Sequence, residues 1–155
     1  MKTIPRIIGC ALGAIVILVV LLTFGAILLE TNPPIQREPA WDSAQTKELA
    51  QRACYDCHSN ETVWPLYTKL PIGSWLAVFD TFRGRRELNF SEWSSASTRR
   101  REGNLAREIA EVINEGSMPP RYYVMLHPTA ALTAQEKQQL IQGLQKSLSD
   151  MNATE

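Results

Sequence analysis

Cys54-Tyr55-Asp56-Cys57-His58 is the stretch that decides how this chain folds. Two thiols at i and i+3 share one side of a helical turn. In that spacing they reach the two vinyl groups along one edge of a porphyrin and form thioethers. The histidine directly after the second cysteine is then carried beneath the ring, where an imidazole nitrogen can bind iron. This is the attachment pattern of c-type haem. Three other uses of the same residues compete. A Cys-x-x-Cys redox dithiol normally sits in a βαβ context, and no alternating strand runs flank this one. A zinc site fails on spacing, because His58 adjoins Cys57 and only His127 remains, far downstream. A plain structural disulfide in an oxidising compartment stays open on spacing alone; the export signal, helical flanks and downstream methionine described below favour haem.

Working outward, Ser43 is placed to cap a helix from Ala44, with Leu49, Ala50 and Ala53 on one face, running straight into Cys54. Residues 59–73 hold Asn60, Pro65, Pro71 and Gly73 and read as loop. Ser74 to Phe82 carries Trp75, Leu76, Val78, Phe79 and Phe82 at helical spacing, and Arg83 to Ser97 is mixed. Leu105, Ile109, Val112 and Ile113 fall at i, i+4, i+7 and i+8. Gly116 ends that helix as a C′ glycine, and Pro119 and Pro120 prevent continuation. Thr133-Ala134-Gln135-Glu136 is a capping box opening a helix through Leu140, Ile141, Leu144 and Leu148. The pattern is all-α, with no internal repeat.

Ile7 to Leu29 is 23 residues without a charge, long enough to span a hydrocarbon core of about 30 Å. Cleaved signals have shorter apolar cores and a small-x-small exit; this one ends in Gly25-Ala26-Ile27-Leu28-Leu29 and reads as a retained anchor. Cys10 precedes most of the apolar stretch, so it is no lipobox cysteine. Lys2 and Arg6 before the span and Glu30 after it orient the chain with its bulk exported. The expected location is the cytoplasmic (inner) membrane, single-pass, with the C-terminal domain on the periplasmic or extracellular side. The expected organisation is a transmembrane signal anchor (1–29), a proline-containing tether (30–41) lifting the domain off the bilayer, a folded domain (42–149) and a flexible tail (150–155). The folded part, roughly 110 residues, suits a single core.

The formal charge is zero, from 16 basic and 16 acidic residues. Setting aside Lys2 and Arg6 leaves 14 against 16 in the exported part, a balance of −2 that excludes a nucleic-acid partner. The cluster Arg99-Arg100-Arg101 reads as solvated surface.

A second axial ligand is expected where haem transfers electrons. Met118, in Gly116-Ser117-Met118-Pro119-Pro120, lies 60 residues beyond His58 on a proline-stiffened loop, where a thioether can reach the distal face. Met/His ligation raises the reduction potential. His127, in Leu126-His127-Pro128, is the alternative distal ligand and would give bis-histidine ligation; Met125 sits in an apolar run and reads as core. Arg83, Arg85 and Arg86 are candidates to pair with propionates. Trp64, Tyr67, Trp75 and Trp93 are candidate pocket walls. Pro71, 13 residues after His58, is a candidate to offer its carbonyl to the proximal imidazole N–H.

Taken together, Cys54-Tyr-Asp-Cys-His-Ser-Asn60, Trp64-Pro65, Trp75, Leu88-Asn89-Phe90-Ser91, Trp93, Gly116-Ser117-Met118-Pro119, Tyr123, His127-Pro128 and Leu132-Thr133 resemble the bacterial haem-binding domain family of cytochrome c-like proteins, over about residues 41–148. The resemblance implies a cytochrome c-like helical fold behind an N-terminal transmembrane helix. It implies one covalent haem c, with His58 proximal and Met118 distal, and by fold analogy electron transfer. The function expected is therefore a membrane-anchored monohaem c-type cytochrome, an electron carrier rather than an enzyme. Its partners would be the membrane, through residues 7–29, and a redox protein or respiratory complex. The alternatives are a peroxidase-like haem enzyme or gas sensor with an open distal site, and a structural subunit of a respiratory complex.

Overall fold

A computed structural model describes residues 3–93 and 102–153, with side chains described for 7–93 and 105–148. Arg99 to Arg101 lie outside the described residues. The fold is all-α. Seven α-helices are described: α1 Thr3–Leu28, α2 Ala44–Ala53, α3 Tyr55–His58, α4 Pro71–Glu87, α5 Glu102–Asn114, α6 Arg121–Leu126 and α7 Ala134–Ala153. Single 3-10 turns occupy Leu66–Lys69 and Pro128–Ala130.

Within α1, Ile7–Leu28 has a mean hydropathy of 3.0 over its window and is long and apolar enough to cross a membrane. The helix does not end in free solvent. Its C-terminal turns pack on α4 and on the turn Leu66–Lys69, burying Ala26 completely. The next residues, expected as an extended tether, run extended and bond to the domain. Arg85 donates to the Thr31 carbonyl (2.9 Å) and Asn60 to the Pro34 carbonyl (3.1 Å). The amides of Gln36 and Arg37 both donate to the Ser91 carbonyl, and Trp93 N donates back to Arg37 O. The reason is hydrogen-bond accounting: proline removes donors from this segment, but the remaining peptide groups bond to the domain where it approaches.

Ser43 caps α2 as expected, accepting from Thr46 N at 3.2 Å. The inner faces of α2, α5 and α7 supply Leu49, Ala50, Leu105, Ile113, Leu140, Ile141, Leu144 and Leu148 to the core. Tyr55, Phe90 and Trp93 complete it as a stack, with centroids 5.5 Å and 5.8 Å apart. Gly116 has φ of 73°. Its N–H reaches Ile113 O and that of Ser117 reaches Val112 O, a full Schellman closure of α5. The capping box forms in both directions, Thr133 N to Glu136 Oε2 and Glu136 N to Thr133 Oγ1. α7 continues through Ala153, so most of the stretch expected as a tail is helical.

α4 starts three residues earlier and ends five later than its apolar spacing suggested. Pro71 is not a loop residue but opens the helix, where its missing N–H costs nothing. At the other end Gly84 meets α3: a Cβ there would lie 2.3 Å from the Cys57 carbonyl oxygen. Gly84→Ala should therefore push α3 from α4 and cost about 1–3 kcal/mol, read as a lower denaturant midpoint. A second expectation concerns acid. The Arg52 hydrogen bond, with help from Thr133, holds the Glu136 carboxyl at about 2, below its ordinary 4.5. A depressed carboxylate stabilises above its unfolded value and loses that contribution as pH falls toward the folded one. Glu136→Gln should lose the stability change that the native chain shows between those two pH values, as followed by far-UV circular dichroism.

Candidate functional site

Cys54 stands at the break between α2 and α3, with φ −128° and ψ −33°. The amides of Cys57 and His58 both turn back to the Cys54 carbonyl, so the motif winds into one tight turn. Cys54, Cys57 and His58 all line a single cavity of about 250 Å³, and Met118, from the loop after α5, lines it too. Asp80, Arg83, Gly84 and Glu87 of α4 and Pro119, Pro120, Tyr122 and Tyr123 close the remainder. Cys54 and Cys57 are free thiols. Burial, reinforced for Cys54 by its partner thiol and for Cys57 by Asp80 and Asp56, pushes both up to about 12. Among the described residues no group of three or more His, Cys, Asp or Glu side chains could hold a metal ion.

His58 is fixed from both ends. Its Nδ1 lies 3.0 Å from the Leu88 carbonyl; a carbonyl only accepts, so Nδ1 carries the proton and Nε2 is left with its lone pair. Burial lowers the pKa of the ring, against opposing backbone hydrogen bonds from Leu88 and Gly84. A neutral imidazole with Nε2 available is the form that binds metal. The main-chain carbonyl of His58 accepts from Phe90 N at 2.8 Å. The partner of the imidazole is thus Leu88 and not Pro71, whose carbonyl accepts from Ser74 Oγ. The reason is that α4 begins at Pro71 and consumes its carbonyl in the first turn.

Around this pair the residues 58–60 and 88–91 form a clasp that sequence reasoning did not assign. Asn60 N donates to Ser91 Oγ (2.9 Å), Asn89 Nδ2 to Asn60 Oδ1 (3.0 Å) and Ser91 N to Asn89 Oδ1 (2.9 Å). Arg85 donates through Nε to the Ser59 carbonyl at 2.7 Å and through Nη2 to Thr62 Oγ1 and Asn32 Oδ1. The only signal in the chain was the pairing of Cys-His-Ser-Asn with Asn-Phe-Ser, two short polar runs 30 residues apart.

The other candidates separate clearly. Arg83 lines the cavity, its guanidinium also over the Phe79 ring at 5.6 Å. Arg85 is engaged by the Ser59 and Thr31 carbonyls and the Thr62 and Asn32 side chains, and Arg86 is exposed away from the lining. Of the aromatic candidates, Trp93 belongs to the core. Trp64 and Tyr67 line a smaller neighbouring cavity of about 40 Å³, and Trp75 faces outward. His127 does not line the main cavity. Its Nε2 is 2.8 Å from Tyr67 OH and its ring stacks on Tyr123 at 4.3 Å. Met125, expected in the core, is 81% exposed, on a short helix none of whose residues is buried. Tyr123, which does line the cavity, donates to Asp56 at 2.6 Å, and Tyr122 donates to Asp80 at 2.9 Å. Hydrogen bonding and burial raise the pKa of both phenols, that of Tyr122 to about 12.

Residues 17–146 match the protein family described as Haem-binding domain. No curated protein and no solved structure matches the chain. The donor set fits such a group, since two thiols, one imidazole with Nε2 available and one thioether open on the same cavity. Asn60→Ala should strip Asn89 of its acceptor and cost about 1–3 kcal/mol. The check is a denaturant titration compared with an exposed control such as Gln145→Ala.

Proposed function

The chain belongs to the haem-binding domain family, and we propose that it is a membrane-anchored monohaem c-type cytochrome carrying electrons on the outer side of the cytoplasmic membrane. The observation that carries this reading is the shared lining of one cavity by Cys54, Cys57, His58 and Met118. In it, the Cys54 and Cys57 sulfurs would hold a single haem c through two thioethers. His58 would bind it through Nε2, its ring held by the Leu88 carbonyl, a partner that fixes the tautomer and raises the basicity of the ligand. Met118 would supply the second iron ligand. Its backbone N–H is tied to Val112 O at 3.1 Å, and Pro119 and Pro120 stiffen the chain behind it.

The haem supplies one-electron cycling between Fe(II) and Fe(III); the protein supplies position and polarity. Cys54, Cys57 and His58 are half-buried, while Met118 is 39% exposed at the mouth of the cavity. Tyr122 and Tyr123 present phenol rings to the cavity while their hydroxyls donate to Asp80 and Asp56. His127 is held by Tyr67, which supports Met118 over His127 as distal ligand and speaks against a peroxidase-like site with His127 beside an open iron. The span Ile7–Leu28 is read as a retained anchor, with Lys2 and Arg6 cytoplasmic. The electron partner is then a redox protein or respiratory complex at that membrane surface.

Intact mass of the exported chain should show one covalent haem, lost in the double variant Cys54→Ser/Cys57→Ser. The oxidised protein should be low-spin with a far-red sulfur-to-iron charge-transfer band. Met118→Ala should abolish that band and lower the reduction potential, while His127→Ala should leave both unchanged. A high-spin native haem that binds CO at once would exclude the electron-carrier reading in favour of an open-site enzyme or sensor.

A further inference from the structure

α4 is built inside out for a helix facing water. Its residues turned into the protein are small or polar, with Ser74 fully buried and Thr81 and Gly84 buried. Its outward residues are large and apolar: Ile72 is 84% exposed, Trp75 41%, Phe79 55% and Phe82 67%. These fall at i, i+3, i+7 and i+10, one continuous stripe. The turn before it extends the surface with Leu66 and Leu70, exposed by 85% and 60%. Soluble surfaces scatter such residues singly; a contiguous patch of this kind marks an interaction site.

What covers it follows from its place beside α1. The C-terminal turns of α1 pack directly on α4, and Ala26 is wholly buried there. The chain then has no slack: Glu30 pairs with Lys69 at the foot of α4 and Thr31 O accepts from Arg85 near its head. The 22 residues Ile7–Leu28 rise about 33 Å as a helix, a little more than a hydrocarbon core of about 30 Å. Ala26 therefore lies at the outer boundary of that core, and α4 lies with it. We propose that the exposed apolar stripe of α4, with Leu66 and Leu70, is embedded in the outer leaflet of the lipid bilayer, so that the domain lies on the membrane rather than above it. Trp75 then sits at the headgroup level, where tryptophan is favoured. The edge of α4 carrying Asp80, Arg83, Gly84 and Glu87 lines the cavity, so the cavity is held within about one helix diameter, 10–12 Å, of the bilayer.

The proposal rests on α1 being a retained anchor, and its test reads the two separately. The full haem-loaded chain is reconstituted in phosphatidylcholine vesicles containing a diazirine-tailed phospholipid, irradiated, digested and mapped by mass spectrometry. Lipid adducts are expected on α1 and on residues 66–82, and not on α7. Ile72→Glu/Phe79→Glu should lose the adducts on 66–82 and keep those on α1. Adducts confined to α1 overturn the proposal and leave the anchor standing. Absence of α1 from the mature chain, or of adducts on it, overturns both. Chain-to-chain crosslinks through 66–82 without lipid adducts assign the stripe to a second copy and also overturn it.

Discussion

The Leu88 carbonyl holds His58 Nδ1, and the His58 carbonyl in turn holds the amide of Phe90. These two bonds join the end of the Cys-x-x-Cys-His turn to a segment 30 residues away, and much of the domain is arranged to keep them. Asn60, Asn89 and Ser91 satisfy one another around the pair, and Phe90, once its amide is tied to His58, stacks in the core between Tyr55 and Trp93. A buried polar network of this kind tolerates little partial loss, since each unpaired member in a low-dielectric interior is costly. It couples the orientation of one imidazole to the packing of the aromatic core.

Close approach of backbone to backbone makes the clasp possible. α3 is a single turn, too short to be stable alone, and it is held by α2 before it and α4 beneath it. Gly84 permits that contact by leaving the Cys57 carbonyl room. The same contact sets Asp80, Arg83 and Glu87 beside the thiols. On the far side, Schellman closure at Gly116 turns the chain sharply enough to bring Met118 to the same cavity. The four donors come from two separate pieces of chain, residues 54–58 and the loop after α5, and helix packing brings them together.

The N-terminal helix is part of this architecture and not an appendage to it. Arg85 illustrates why. One guanidinium binds Ser59 beside the Cys-x-x-Cys-His turn and Thr31 and Asn32 just beyond α1. The planar fork suits this use, because its five donors can satisfy several carbonyls at once. Arg85 thus links the chain just beyond α1 to the geometry next to His58, adding to the packing of α1 on α4.

The sequence by itself determined what depends on short-range chemistry. The thiol pair and its histidine, the Ser43 cap, the capping box at Thr133 and Glu136, the Gly116 stop and the apolar run from Ile7 are each legible because their partners lie within a few residues. Met118 was legible for a related reason, since proline and glycine neighbours exclude a helical core position. What only the tertiary structure decided depends on long-range pairing. Leu88 rather than Pro71 holds the imidazole because Pro71 turns out to open α4. Arg85 is taken up by the Ser59 and Thr31 carbonyls and the Asn32 and Thr62 side chains because α1 and residues 30–32 pack beside it. Trp93 goes to the core while Trp75 faces outward because α4 buries its small residues. Residues 30–41, tether-like in composition, are bonded to the domain because Ser91 and Asn60 offer them partners. In each case the sequence shows the group, but the competing acceptors and neighbours exist only once distant segments are brought together.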